Sequence, residues 1–127
     1  MTVDADPRPP AYNRPFNINA HLPETRVSAE PLDIIFTMPH PDDVEITCGG
    51  TVAWLARQGY RVGLLHMTDG EPTPRGTIEQ RTAELHRAAE ILGAAHVEIL
   101  PLPNRELMDG PAARYAVATV FRRPPPR

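Results

Sequence analysis

Three apolar runs punctuate the chain, and each leads through a polar turn into a stretch of helical period. The first, Leu32-Asp33-Ile34-Ile35-Phe36-Thr37-Met38, is nearly continuous in apolar residues and ends at a proline. That is the pattern of a strand buried on both faces of a parallel sheet. From Ile46 to Gly59, Ile46, Val52 with Ala53, and Ala56 fall at helical spacing, Trp54 and Leu55 extend the stripe, and Gly59 is a natural stop. A second strand is expected over Arg61–Thr68, running into the turn-rich segment Asp69–Gly76. A second helix is expected over Thr77–Leu92. Thr77 and Gln80 form a capping box, Ile78, Leu85, Ala89 and Leu92 share one face, and Gly93 ends it. His96–Leu100 reads as a third strand. Pro111–Arg122 reads as a third helix with Tyr115, Ala118 or Thr119, and Phe121 or Arg122 along one side.

Strand and helix alternate three times, which predicts an α/β fold: a Rossmann-like parallel sheet with flanking helices and right-handed crossovers. Ligands of such sheets bind at the carboxyl ends of the strands. The loops expected there span residues 39–45, 69–76 and 101–109, and they carry most of the polar residues of interest.

Composition changes this picture mainly at the ends. The chain has 127 residues and 16 prolines, six of them before Leu32 and three in Pro124-Pro125-Pro126. Residues 1–31 therefore read as an extended arm preceding a domain of residues 32–127, with Tyr12, Phe16, Ile18 and Leu22 available to pack on it. The net charge of −3 offers no basic stripe for nucleic acid and no polybasic membrane patch. No apolar run is long enough to span a bilayer, and the first residues lack the basic start and apolar centre of a signal peptide. The single cysteine, Cys48, excludes an internal disulfide and fits the cytoplasm.

The densest chemistry lies in Met38-Pro39-His40-Pro41-Asp42-Asp43. An imidazole and a carboxylate suit zinc, which takes nitrogen and oxygen ligands. A second carboxylate pointing elsewhere can act as a base on water acidified by the metal. Flanking prolines restrict the backbone of His40, so little freedom is lost on binding. The same residues also admit a plainer reading, with both aspartates capping the following helix and His40 in a surface turn.

Pro39-His40-Pro41-Asp42-Asp43 after an apolar strand, followed by Cys48-Gly49-Gly50-Thr51, resembles the LmbE-like, or PIG-L, family of zinc-dependent N-acetylglucosaminyl deacetylases. Thr68-Asp69-Gly70-Glu71, Arg81-Thr82-Ala83-Glu84, Ala88-Ala89, Leu92-Gly93 and Leu102-Pro103-Asn104 follow in the family's order. The resemblance covers residues 32–123, the N-terminal half of a typical member. It implies that His40 and Asp43 are zinc ligands and that Asp42 is the general base in removing an acetyl group from an N-acetylglucosamine-containing small molecule or lipid. Arg81 matches a substrate-contacting position, with Glu84 one turn on. Asp69 and Glu71 would shape the sugar pocket, and Asn104, standing where an aspartate is common, is a further substrate-binding candidate with altered contacts.

The family's third zinc ligand, a downstream histidine, has no counterpart, so the domain reads as C-terminally truncated. His66 and Cys48 are the nearest substitutes; His66 reads better as a hydrogen-bonded, partly buried histidine and Cys48 as a small apolar residue packed at a helix start. Two other functions fit the pattern. The chain could be a non-catalytic module pairing its open sheet edge with another chain, including a second copy. It could also bind nucleotide as a half-Rossmann unit, although its first turn lacks G-x-G-x-x-G and carries two acids.

Overall fold

The computed structural model describes residues 30–72 and 75–122. The expectations for residues 1–29 of the arm and for Pro124-Pro125-Pro126 lie outside the described residues. Three strands, β1 (Ile34–Met38), β2 (Val62–His66) and β3 (His96–Ile99), form a parallel sheet in the order β1-β2-β3. Helices α1 (Asp43–Arg57), α2 (Ile78–Leu92) and α3 (Pro111–Phe121) alternate with them. Ile34 to Met38 pair in register with Val62 to His66, and Gly63 to His66 pair with His96 to Ile99. The order of elements and the parallel pairing are as the sequence predicts.

Two hydrophobic clusters cover the two faces of the sheet. Val44, Val52, Val62, Leu64 and Ala89 pack between the sheet and α1 and α2. Leu65, Leu100, Leu102 and Ala116 pack beneath α3. Successive strand residues face opposite sides, so neighbours Leu64 and Leu65 serve different clusters. All five residues of β2 are buried.

Four details depart from the sequence pattern. β1 is only half-buried along its length, because it is an edge strand rather than a central one. α1 begins at Asp43, three residues earlier than expected, and its backbone leaves helical geometry at Cys48 (φ −143°, ψ 17°). That break shifts the helical phase. Val44 becomes fully buried, whereas Ile46 and Trp54 are exposed. On α3 the packed face is Ala113, Ala116, Val117 and Val120, not the side bearing Tyr115 and Phe121. The sheet-facing surface of α3 is thus made of small and β-branched residues. Ile78, at the very start of α2, is likewise largely exposed, while Leu85 and Ala89 are buried as expected.

α2 is the best specified element. Thr77 Oγ1 accepts a hydrogen bond from Gln80 N at 3.2 Å, and Gln80 Oε1 accepts from Thr77 N at 3.1 Å. Gly93 closes the helix with φ 78°, a left-handed conformation that glycine adopts without Cβ strain. Thr77→Ala removes one half of the capping box and is expected to lower stability by about 1 kcal/mol, read from urea unfolding midpoints.

Candidate active site

The loop after β1 is tied down by the end of β2. Met38 O accepts from Met67 N at 2.9 Å, and Pro39 O accepts from both Thr68 N and Thr68 Oγ1 at 3.0 Å. His40 O accepts from His66 Nδ1 at 2.8 Å. Three consecutive carbonyls are therefore fixed before the chain enters α1.

The side chains of His40 and Asp43 converge. Asp43 Oδ2 accepts from the His40 backbone N–H at 2.9 Å and lies 3.2 Å from His40 Nδ1. The other ring nitrogen, His40 Nε2, is 2.6 Å from Asn104 Oδ1. Asn104 opens a 3-10 turn, Asn104–Glu106, in the segment after β3. The first and third carboxyl-edge loops thus meet at one imidazole.

Asp42 points elsewhere, and its backbone explains why. Its φ of 95° is left-handed, and among the described residues it is the one non-glycine with positive φ. Aspartate tolerates that region better than most residues, yet a cost of about 1–3 kcal/mol is usual and is found most often at functional sites. The turn it makes sends neighbouring carboxylates in different directions. Asp42 is 61% exposed, with Oδ2 3.5 Å from Arg81 Nη2. Arg81 also donates from Nη2 to Pro41 O at 3.2 Å.

Arg81 lies against the second carboxyl-edge loop. Gly70 has φ 81°, and a Cβ there would sit 3.3 Å from the Arg81 guanidinium carbon. Gly70 N donates to Thr68 Oγ1 at 3.1 Å, and Asp69 Oδ1 accepts from Glu71 N at 2.9 Å, so Asp69 closes its own turn. A cleft of ≈ 120 Å³ opens between the first turn of α1 and α2. Asp42, Glu45, Arg81 and Glu84 line it with Pro41, Leu85 and Ala88. Glu84, one helical turn on from Arg81, lines the same cleft.

Glu45 gains a place that sequence reasoning did not give it, and His66, expected to be hydrogen-bonded and partly buried, is buried completely. Both carboxylate oxygens of Glu45 are buried without a hydrogen-bond partner among the described residues, and so is His66 Nε2. The available signal for Glu45 was its position three residues after Asp42, which puts both on one face of the helix start. His66 is fully buried, more deeply than a strand-end histidine suggests. Burial holds its pKa below the ordinary 6.5, against the raising effects of the His40 carbonyl and of Glu45, Asp43 and Asp42.

The unfolded chain therefore takes up this proton at higher pH than the folded chain. Stability attributable to His66 is intact above about pH 6.5 and falls as pH drops below it. Metal-free protein is expected to lose more stability between about pH 7.5 and about pH 5.5 than a His66→Asn variant, whose amide keeps a donor for the His40 carbonyl without the titration. Urea unfolding across that range reads the difference.

The donors present suit a divalent ion. With Nε2 against the Asn104 oxygen, His40 Nδ1 is left facing Asp43 Oδ2 at 3.2 Å, a pair that a proton or a cation can bridge. Among the described residues no group of three or more His, Cys, Asp or Glu side chains is placed to hold a metal ion, so His40 and Asp43 stand as a pair. Cys48 is a free, half-buried thiol packed against the core, and His66 is committed at Nδ1 to the His40 backbone.

A family model described as PIG-L, GlcNAc-PI de-N-acetylase, matches residues 35–127. The chain belongs to the PIG-L family. His40, Asp42, Asp43, Asp69, Glu71, Arg81, Glu84 and Asn104 all fall within the matched segment. Among PIG-L relatives, a diacetylchitobiose deacetylase from Thermococcus kodakarensis is 35% identical over 95 residues, covering 69% of this chain and 36% of the relative. A 1D-myo-inositol 2-acetamido-2-deoxy-alpha-D-glucopyranoside deacetylase from Kineococcus radiotolerans is 36% identical over 86 residues, covering 59% and 24%. A conserved protein from Thermus thermophilus, of known crystal structure, superposes with a TM-score of 0.71 at 40% identity over 76% of this chain and 44% of that one. The chain therefore spans less than half the length of each of these relatives. Among the described residues no helix is long and apolar enough to cross a membrane.

Proposed function

We propose that this PIG-L chain carries the metal- and base-bearing part of a zinc-dependent hydrolase that removes the acetyl group from a 2-acetamido sugar, free or lipid-linked. The observation that carries the reading is the split of three side chains within four residues, His40, Asp42 and Asp43. His40 Nδ1 and Asp43 Oδ2 converge at 3.2 Å, while the left-handed Asp42 turns its carboxylate out toward Arg81. That is a division of labour metal-assisted hydrolysis uses: donors turned toward the ion and a separate carboxylate beside it to handle the proton. The two named relatives lend the substrate class, since the name of each specifies an N-acetylated sugar.

His40 and Asp43 would hold the ion, and a zinc ion there would supply Lewis acidity toward water and the acyl oxygen. Asp42 takes the proton of the attacking water and delivers it to the departing amine, so acetate and a free amino sugar leave. Arg81 orients Asp42 through the 3.5 Å contact and gives the cleft a cationic wall. Glu84, with Asp69 and Glu71 on the neighbouring loop, offers acceptors for sugar hydroxyls. In an isolated chain the remaining zinc donors would come from water or from residues beyond the described ones.

The full chain should bind zinc at one equivalent and release acetate and a free amine from an N-acetylglucosaminide. Amine release is followed with an amine-reactive fluorophore, and zinc by elemental analysis after gel filtration. Protein that neither retains zinc nor turns over the sugar would overturn the reading.

A further inference from the structure

We infer that Asn104 is a positioning residue that fixes which nitrogen of His40 is presented to a divalent ion. This rests on reading His40 and Asp43 as ligands and adds to it a role for a residue 64 positions away. An imidazole on an otherwise free side chain can rotate by half a turn about its ring axis. The rotation exchanges Nδ1 with one ring carbon and Nε2 with the other, so the ring alone does not decide which face meets Asp43. Asn104 decides it. Its Oδ1 stands 2.6 Å from Nε2, and an amide oxygen only accepts, so Nε2 carries hydrogen. Nδ1 is then the atom left facing Asp43 Oδ2 at 3.2 Å.

Asn104 is itself held firmly enough to impose this choice. The segment leading to it continues the sheet: Leu100 N donates to His66 O at 2.7 Å and Leu102 N to Met67 O at 3.3 Å. Leu102 is buried in the cluster beneath α3, with Leu107 packed against the same cluster just beyond the turn. The His40 backbone is equally fixed, through His66 Nδ1 on its carbonyl. The backbone is thus clamped from β2 and the ring from the 3-10 turn after β3. A hydrogen bond to the outer nitrogen of a metal-binding histidine sets its tautomer and orientation, and losing one typically costs about 10–100-fold in metal affinity.

The test uses the full chain labelled with nitrogen-15 in histidine, and zinc as the ligand. Long-range proton–nitrogen correlation spectra should show His40 with hydrogen on Nε2, and zinc should displace the Nδ1 resonance. Asn104→Ala should bind zinc about 10–100-fold more weakly in competition with a chromophoric chelator, while Asn104→Asp, which keeps the acceptor, should restore binding. Far-ultraviolet circular dichroism and urea unfolding of both variants separate this from a folding defect, since a merely structural role would not be rescued in the nitrogen spectrum by an acceptor. Zinc on Nε2, or wild-type affinity in Asn104→Ala while His40→Ala is impaired, would overturn the inference and leave the ligand reading standing. Unchanged affinity in His40→Ala would overturn both.

Discussion

Asp42→Asn is expected to lower turnover of an N-acetylglucosaminide by about 10²–10⁴-fold while leaving zinc content unchanged. The substitution is nearly isosteric, and asparagine accepts the left-handed backbone that Asp42 adopts at φ 95°. The start of α1 and the carbonyl anchors of the loop therefore stay in place. What disappears is the capacity to take a proton. The pair proposed to hold the ion, His40 with Asp43, is geometrically separate, because Asp43 turns inward onto the His40 backbone N–H and Asp42 turns out toward Arg81. A steady-state kcat within about tenfold of wild type, below the usual range for a lost general base, would remove Asp42 from that role. A parallel loss of zinc would instead make it a ligand. The two roles are told apart by measuring metal and rate on the same preparation.

Leu64→Ala is expected to be the most damaging single change to the fold, costing about 2–5 kcal/mol in urea unfolding. Leu64 is wholly buried at the middle of the central strand. It sits in the cluster that joins Val44 and Val52 of α1 to Ala89 of α2. Removing its side chain leaves a cavity that three separate elements would have to collapse into. Small domains hold only about 5–15 kcal/mol in all, so the variant should sit near its unfolding midpoint under mild conditions. A Leu64→Ala protein within about 1 kcal/mol of wild type, well short of the usual large-to-small cost, would mean that this cluster is loosely packed.

The alternation of elements, the capping box at Thr77 and the glycine stop at Gly93 could be read from the chain because each rests on local rules. Period, cap and turn preference act over a few residues. The same holds for the proximity of His40, Asp42 and Asp43, which are near in space because they are near in sequence. Burial along α1 could not be read this way. The start at the left-handed Asp42 and the break at Cys48 rotate the apolar face, so Val44 goes in and Ile46 stays out. On α3, Tyr115 and Phe121 look like the anchors by size, but the sheet admits only Ala116 and its small neighbours.

Pattern and spacing along the chain were enough to specify a parallel α/β sheet that brings three loops to one edge, the first of them carrying an imidazole and two acids. How these side chains are directed is a property of the assembled fold. The direction of each carboxylate follows from one left-handed residue, the choice of ring nitrogen from Asn104 across the sheet edge, and the burial of Glu45 and His66 from packing between α1 and β2. Hydrogen bonds between residues 26 and 64 positions apart have no signature in a local pattern, because chain closure, not spacing, sets which atoms meet.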